Sequence, residues 1–334
     1  MLEILENYNN NRFKDITIHK YCSDNKQEWE TFVSNSNNGT MFHLQKFLDY
    51  HTIGKFDFTN YIIKYKDKIV AVLPGAYKEN NTIYWSPVGS SYGSFVTNDI
   101  PFELALNIVD AMLYFFKQQG TKELFLIPPP LIYNTIFNQH IEYAMLYRKF
   151  DFEYHYISHA LELSNNFRQK YQKRAATMIR KLKRNNELQI IENKDYINFY
   201  PILVKNKQKH NATPTHSLND LIKLEQLVPE RLKLFMAYYK GIPVGGHLLF
   251  IANKNVSLCF YNAMDSNYDY LNIGYFLVDY AIEWSVKNGF KWYDIGVSQD
   301  TSSENPMTPS LSLIYFKEKF GARGIFRSTF HYKF

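Results

Sequence analysis

The feature that most limits how this chain can fold is an internal repeat. The segments "NIVDAMLYFFKQQGTKELFLIPPP" (Asn107 to Pro130) and "FLVDYAIEWSVKNGFKWYDIGVSQ" (Phe276 to Gln299) share one layout. Each reads as an amphipathic helix with Val-Asp near its start and a glycine, Gly120 or Gly289, at its C-terminus, followed by a lysine and a short apolar strand. Upstream of each lies a pair of apolar runs around a short turn, "YIIKYKDKIVAVLPGAY" and "LFMAYYKGIPVGGHLLF", the pattern of an antiparallel hairpin.

The repeat predicts an α+β fold of two tandem units, each a mixed, mainly antiparallel sheet flanked by helices. The expected order in each is strand, two helices, three or four antiparallel strands, helix, strand, helix, strand. A length of 334 residues, 46% of them hydrophobic and 17% aromatic, supplies enough apolar surface for two cores. The first unit is expected over residues 1–150, starting near Asp15 and ending with the helix "NTIFNQHIEYAMLYRKF". The second is expected over 151–334, opening with the strand "FEYHYISHALEL".

Net charge is only +6, yet "RQKYQKRAATMIRKLKRN", Arg168 to Asn185, holds eight basic residues and no acid. The positive field is therefore local. As a helix over 168–184, it would place Phe167, Tyr171, Ala175, Met178 and Leu182 on one stripe. Lys170, Lys173, Arg174, Arg180, Lys181 and Arg184 would share a neighbouring arc of roughly 120°. Such a flank is either a solvated face or a cradle for phosphate, whose oxygens suit charge-assisted donors. No zinc-finger, homeodomain or RNP signature accompanies it, which argues against DNA. Because the core needs the apolar stripe, contact with a membrane surface is expected to be transient.

Two cysteines, Cys22 and Cys259, make a disulfide framework improbable and favour a reducing compartment. The N-terminus "MLEILENYNNNRFKDITIHKY" has acids where a signal peptide needs an apolar run, and no segment reaches the ~18 apolar residues of a membrane span. A cytoplasmic location is expected. "GSSYG", Gly89 to Gly93, matches a nucleophile elbow in letters only, since "SFVTNDIP" intervenes before any helix; a loop where a ligand approaches the backbone fits better than a nucleophilic Ser91. His155 and His159 lie on a strand without a carboxylate or cysteine partner, so no metal site is expected. In "NATPTHSLNDL", Pro214 ends one helix and Ser217, with Asp220 three residues on, starts the next; His216 stands at that positive helix end.

Together, "SPVGSSYGS", "RAATMIRKLKR", "PTHSL", "GIPVGGHLLF", "YDIGVSQ" and "FKEKFGARG" resemble the Fem-type tandem GNAT acyltransferases of peptidoglycan and surface-polysaccharide assembly, over nearly the whole chain. The resemblance implies two GNAT-like lobes, an acyl donor held mainly by the second, and an amine acceptor carried on a nucleotide- or lipid-linked sugar. Arg174, Arg180 and Lys181 match the family's basic pattern and would face diphosphate. Tyr92, Tyr261 and Lys317 would lie near the acceptor. The place of the GNAT pyrophosphate loop is "YDYLNIGYF", where Asn272 and Gly274 would serve the cofactor; only Gly274 survives of the usual pattern, and the helical hairpin of some tRNA-using members is absent.

Acyl transfer to an amine needs a proton acceptor and a polarised carbonyl. The resemblance implies that a backbone amide where the central strands splay does the polarising. Asp294, at the end of the strand "KWYDIG", is the first candidate base and His216 the second; a structural carboxylate is an equal reading of Asp294. The expected activity is transfer of acetyl from acetyl-CoA, or of another acyl group from its CoA ester, to an amino sugar in surface-polysaccharide biosynthesis. Two alternatives stay open: an aminoacyl-tRNA-dependent cell-wall aminoacyltransferase, and a catalytically idle binding subunit.

Overall fold

The structure, a computed structural model, describes residues 15–209, 211–300 and 302–334. Residues 1–14 of the N-terminal stretch read above for a leader lie outside the described residues. No helix among the described residues is long and apolar enough to cross a membrane.

The chain divides into two compact units. Unit 1 comprises the residues up to His155 together with Arg327–Phe334, and unit 2 is Tyr156–Phe326. In chain order, unit 1 holds β1 (Ile16–Lys20), α1 (Lys26–Asn35), α2 (Gln45–Leu48), β2 (Tyr61–Tyr65), β3 (Lys68–Leu73), β4 (Ala76–Lys78), β5 (Ile83–Ser86), β6 (Val96–Thr97), α3 (Phe102–Gln118), β7 (Glu123–Leu126) and α4 (His140–Tyr147). The boundary to unit 2 falls inside β8 (Asp151–Glu162). Unit 2 continues with α5 (Lys173–Lys183), β9 (Leu188–Asn193), α6 (Tyr196–Gln208), α7 (Leu218–Leu227), β10 (Leu232–Tyr239), β11 (Ile242–Ile251), β12 (Val256–Met264), α8 (Ile273–Lys287), β13 (Trp292–Val297) and α9 (Leu311–Glu318). The last strand, β14 (Arg323–Lys333), ends in unit 1.

The repeat is real at the level of turns and caps. Both hairpins close with two residues of positive φ, Lys66 and Asp67 between β2 and β3, and Lys240 and Gly241 between β10 and β11. This geometry matches the right-handed twist of paired strands. Both long helices end in the same motif: Gly120 and Gly289 have φ of +72° and +78°, and the next residue's N–H reaches back five positions, Thr121 to Phe116 and Phe290 to Ser285. Each helix then feeds a strand that pairs in parallel on one side, β7 with β5 and β13 with β12, and antiparallel on the other, β7 with β14 and β13 with β8.

Element order corrects where the second copy starts. Matched to the first copy, β9 opens it, followed by two helices, three strands, a helix, a strand, a helix and β14. The strand "FEYHYISHALEL" closes the first copy, and α5 lies between the copies. Each closing strand pairs in the other copy's unit: β8 joins β13 through Ser158–Glu162 in unit 2, and β14 joins β7 through Phe330–Lys333 in unit 1.

Each unit has its own core. In unit 1, Ile108, Met112 and Phe116 of α3 pack with Ile63, Leu73, Tyr84 and Leu124. In unit 2, Leu277, Val278, Ala281 and Ile282 of α8 pack with Phe235, Val244, Leu249 and Tyr293. Burial of fifteen or more large side chains in each dominates the favourable free energy of folding.

Candidate functional site

The parallel pairing of β12 with β13 is short. It joins Val256, Ser257 and Leu258 to Trp292, Tyr293 and Asp294. Beyond it β12 runs on to Met264 along β11, while β13 leaves its register with β8 between Asp294 and Val297. A bulge makes Phe260 the extra residue in β12, between Cys259 opposite Leu249 and Tyr261 opposite Leu248. The sheet thus opens between two parallel strands, and backbone groups on the free edge of β12 face the gap.

On the β13 side of the gap, Asp294 is fully buried. Its Oδ1 accepts from Ser158 Oγ at 2.9 Å and from the Gly296 N–H at 2.7 Å. Gly296 has φ +77°, a backbone conformation that L side chains rarely adopt, so the carboxylate holds a turn that requires glycine. Lys317 of α9 is 2% exposed and fastens the same turn. Its Nζ donates to Gly296 O and Val297 O, both at 2.7 Å, and to Ser298 Oγ at 2.9 Å, which engages all three protons. Burial draws its pKa down to about 8, with the Asp294 carboxylate acting the other way. His159 completes the cluster, its Nδ1 lying 2.9 Å from Ser298 Oγ; burial, then the charge of Lys317, lowers its pKa.

On the β12 side stands a second group. The Tyr261 hydroxyl lies 2.7 Å from Thr215 Oγ1 and 3.1 Å from His216 Nδ1, and accepts from the Thr215 N–H at 3.1 Å. Burial raises the Tyr261 pKa, so the phenol is neutral. His216 is buried against Phe260 and Phe250. Behind it Ser217 caps α7, and the Asp220 carboxylate accepts the Ser217 N–H at 2.9 Å, the capping box expected from the sequence. Lys207 of α6 is half-buried with its ammonium 5.7 Å from the Tyr261 ring centre, and burial lowers its pKa. Ser158, Ser298 and Lys207 were missed in the sequence, where His159 was weighed only as a metal ligand. No local signal marks their roles, since the contacts that join these residues are long-range.

Helix α8 begins beside the open end of β12. Asn272, the residue before it, is left-handed (φ 56°, ψ 37°), and no side chain caps the helix. A Cβ at Gly274 would come within 3.0 Å of Met264 Cε and 3.5 Å of Asn262 Nδ2, so glycine lets the helix lie close on β12. The first-turn amides form an electropositive end there.

The basic run is not one helix. Phe167–Lys170 form a 3-10 turn, Tyr171 and Gln172 are extended, and α5 starts only at Lys173. This break moves Lys170 off the cationic arc, and its Nζ donates to Glu162 O at 2.8 Å. Arg168 forks onto the buried Asp279 with two bonds of 2.9 Å and also reaches Glu283, while Lys183 reaches Asp279 at 2.9 Å. Arg174, Arg180 and Lys181 are exposed on the outer face with Lys173 and Arg184, and among the described residues none of the five has an acidic partner. Arg180 spends its donors on Ala176 O and Thr177 Oγ1.

Unit 1 holds Tyr92 and a cavity. Tyr92 is buried edge-to-face on Phe42 and Tyr133, and the Arg327 guanidinium lies 5.2 Å from its ring centre. The cavity, of about 500 Å³, is walled by Lys55, Lys78 and Arg327, by one acid, Asp57, and by Phe56, Tyr77 and Trp85, with Gly89 and Ser90 of the "GSSYG" loop at its edge. Trp85 sits in a stack: Lys78 Nζ is 4.3 Å from its ring, Phe125 lies at 4.1 Å on its other face, and His331 at 4.1 Å beyond Phe125. Arg327 donates to Ser91 O at 2.7 Å, and its buried Nε has no partner. No group of His, Cys, Asp and Glu among the described residues is arranged to hold a metal ion.

With this geometry in hand, the comparisons with known proteins define the class. Residues 169–302 match the acetyltransferase (GNAT) domain family. No curated protein matches the chain by sequence. Among solved structures, FemX superposes with a TM-score of 0.72 at 12% identity, over 92% of this chain and 96% of FemX. The C-terminal domain of a putative lysylphosphatidylglycerol synthetase from Agrobacterium fabrum gives 0.59 at 10% identity over 92% of each chain. A tandem GNAT protein from the clavulanic acid biosynthesis pathway gives 0.53 at 6% identity, over 95% of this chain and 98% of that one. The family match lies within the second unit, and the fold is shared with FemX and the tandem GNAT protein.

Proposed function

We propose that the protein transfers an acyl group, acetyl from acetyl-CoA, to an amino group of a sugar carried on a nucleotide or a lipid, in the assembly of a surface polysaccharide. The observation that carries this reading is the opening between β12 and β13 beside the uncapped start of α8. Backbone amides on the free edge of β12 suit the carbonyl oxygen where negative charge develops, and the first turn of α8 suits a pyrophosphate. Acetyl-CoA would supply the acyl group as a thioester. The amine nitrogen would bond to the carbonyl carbon, the carbon–sulfur bond would break with CoA leaving as its thiolate, and the proton lost by nitrogen would pass to a base.

Asp294 on β13 is the first candidate for that base, and His216, before α7 and in contact with Tyr261 of β12, is the second. Tyr261 orients His216 through the 3.1 Å contact of its hydroxyl. Lys317, with its protons committed to the Gly296 turn, acts as a positioning residue. The cavity of unit 1 supports an acceptor with an anionic carrier, since its cations and aromatic wall suit phosphate beside a flat or sugar ring. The exposed cations of α5, Arg174, Arg180 and Lys181, supply a face for phosphate. That same face favours a second reading, aminoacyl transfer from tRNA, in which affinity would fall steeply with salt.

The test is the melting temperature with acetyl-CoA, free CoA, nucleotide-linked amino sugars and aminoacyl-tRNA. A ligand at ~100 times its dissociation constant adds about 2.7 kcal/mol to stability. A shift with acetyl-CoA, and loss of about 100-fold in turnover for Asp294→Asn or His216→Ala, is expected. A shift with aminoacyl-tRNA alone moves the donor to tRNA, and silence across the panel leaves the idle binding subunit.

A further inference from the structure

Helix α9 is inside out. Its one fully buried residue is Lys317, while Leu311 is 73% exposed and Leu313 and Tyr315 are exposed with it. Met307, in the loop leading to the helix, is exposed as well. Four large apolar side chains within nine residues turned to solvent form a patch rather than scattered surface hydrophobics. The cause is local: Lys317 must turn inward to fasten the Gly296 turn, and that fixes the rotation of the helix so that Leu311 and Tyr315, six and two positions before it, face out.

The patch adjoins the cationic helix. The Gln172 N–H, at the start of α5, donates to Lys319 O at 2.9 Å, just past α9, and the rings of Tyr171 and Phe320 meet edge-to-face at 5.3 Å. Lys319 Nζ lies 4.3 Å from the Tyr315 ring centre. The C-terminal end of α9 therefore meets the end of α5 that carries Lys173 and Arg174, and α5 runs on from there to Arg180, Lys181 and Arg184. The apolar stripe of α5 itself, Ala175, Ile179 and Leu182, is buried, so α5 alone offers charge without insertion. Its neighbour supplies the apolar half.

We propose that this face of unit 2 docks on an anionic lipid surface, with Met307, Leu311 and Tyr315 entering the headgroup–acyl boundary and the α5 cations lying over lipid phosphates. The pairing of apolar side chains with unpaired cations is the chemistry of an interfacial helix. A nucleic acid would use the cations and leave the leucines wet. The proposal deepens the phosphate-binding role given to α5 and is independent of acyl transfer.

The experiment is co-sedimentation of the full chain with vesicles of phosphatidylcholine alone and with added phosphatidylglycerol, with bulk tRNA as competitor. Binding is expected only to the anionic vesicles. The pair Lys173→Ala and Arg184→Ala should each weaken partitioning about fivefold, and Leu311→Ser with Tyr315→Ser roughly tenfold. All four positions are solvent-exposed, and an unchanged melting temperature and acetyl-CoA shift would show that fold and donor site survive. No binding to anionic vesicles overturns the proposal. Binding that falls with the charge variants but ignores the Leu311 and Tyr315 variants also overturns it, and makes the face a polyanion site.

Discussion

The two units treat one strand differently. In unit 2, β12 runs nine residues and outlasts its parallel pairing with β13; in unit 1, β5 has four residues, all paired with β7, and gives way to the loop 87–95 before β6 resumes. The residues explain the contrast. "VSLCFYNAM" is a continuous run of strand formers, whereas Pro87 cannot donate to a ladder and Gly89 and Gly93 admit close approach by His51 and Ser86. A duplicated fold keeps an open strand edge in one unit and a cationic, aromatic cavity in the other.

A second contrast sits on the repeated Val-Asp. In unit 1, Asp110 forks onto Arg148 alone, and both are partly exposed. In unit 2, Asp279 is fully buried and takes Arg168, Lys183 and the Tyr171 hydroxyl at 3.1 Å. Asp279→Ala leaves the buried Tyr171 hydroxyl without its acceptor, while Arg168 and Lys183 keep Glu283, and should cost about 2–3 kcal/mol in denaturant unfolding. Asp110→Ala should cost about 1 kcal/mol. Equal losses would erase the contrast.

Among the described residues, each unit has one histidine with no exposure at all, His43 in unit 1 and His247 in unit 2, and these probe the units separately. His43 accepts the Thr40 N–H on Nδ1 at 3.0 Å and lies 3.2 Å from Gly93 O through Nε2. His247 lies 2.9 Å from the Tyr293 hydroxyl. Burial lowers each pKa to about 4. Above pH 6.5 both are neutral, folded or unfolded; between 6.5 and 4 the unfolded chain binds protons that the folded chain refuses. Stability is therefore lost as pH falls through that window, by about 3 kcal/mol for each histidine. His43→Gln and His247→Gln should each flatten the acid limb of a stability–pH curve, in separate transitions if the units unfold separately. An unchanged acid limb in both would place the acid sensitivity elsewhere.

The smallest test concerns the matched hairpins. Asp67 adopts a positive φ where unit 2 has Gly241, so Asp67→Gly should stabilise and Gly241→Ala destabilise, each by about 1 kcal/mol in thermal unfolding. Opposite signs would confirm that one turn type serves both copies.

The gap around Asp294 was only half legible in advance. Asp294 and His216 were found because strand ends and helix starts announce themselves locally, and the Ser217–Asp220 capping box held for the same reason. Lys317 was placed by resemblance near the acceptor, and the structure shows its three protons on backbone and Ser298. A helix of eight residues has too few periods to reveal which face turns inward. The basic run was misjudged as one helix because its charge periodicity continues smoothly through Tyr171 and Gln172, and its acids, Asp279 and Glu283, come from a helix about 100 positions away.

By itself the sequence determined the duplication, the α+β class, the two matched turns, the glycine-ended helices and the local caps, because each depends on residues a few positions apart. Tertiary structure alone decided the exchange of closing strands. Strands β8 and β14 are similar alternating segments, and nothing local tells one which partner to take. Long-range contacts choose, such as His331 Nε2 2.8 Å from Glu123 across β14 and β7, and Ser158 Oγ on Asp294 across β8 and β13. The opening between β12 and β13 has the same origin, since a strand edge becomes free only when its neighbour is drawn away by a third strand.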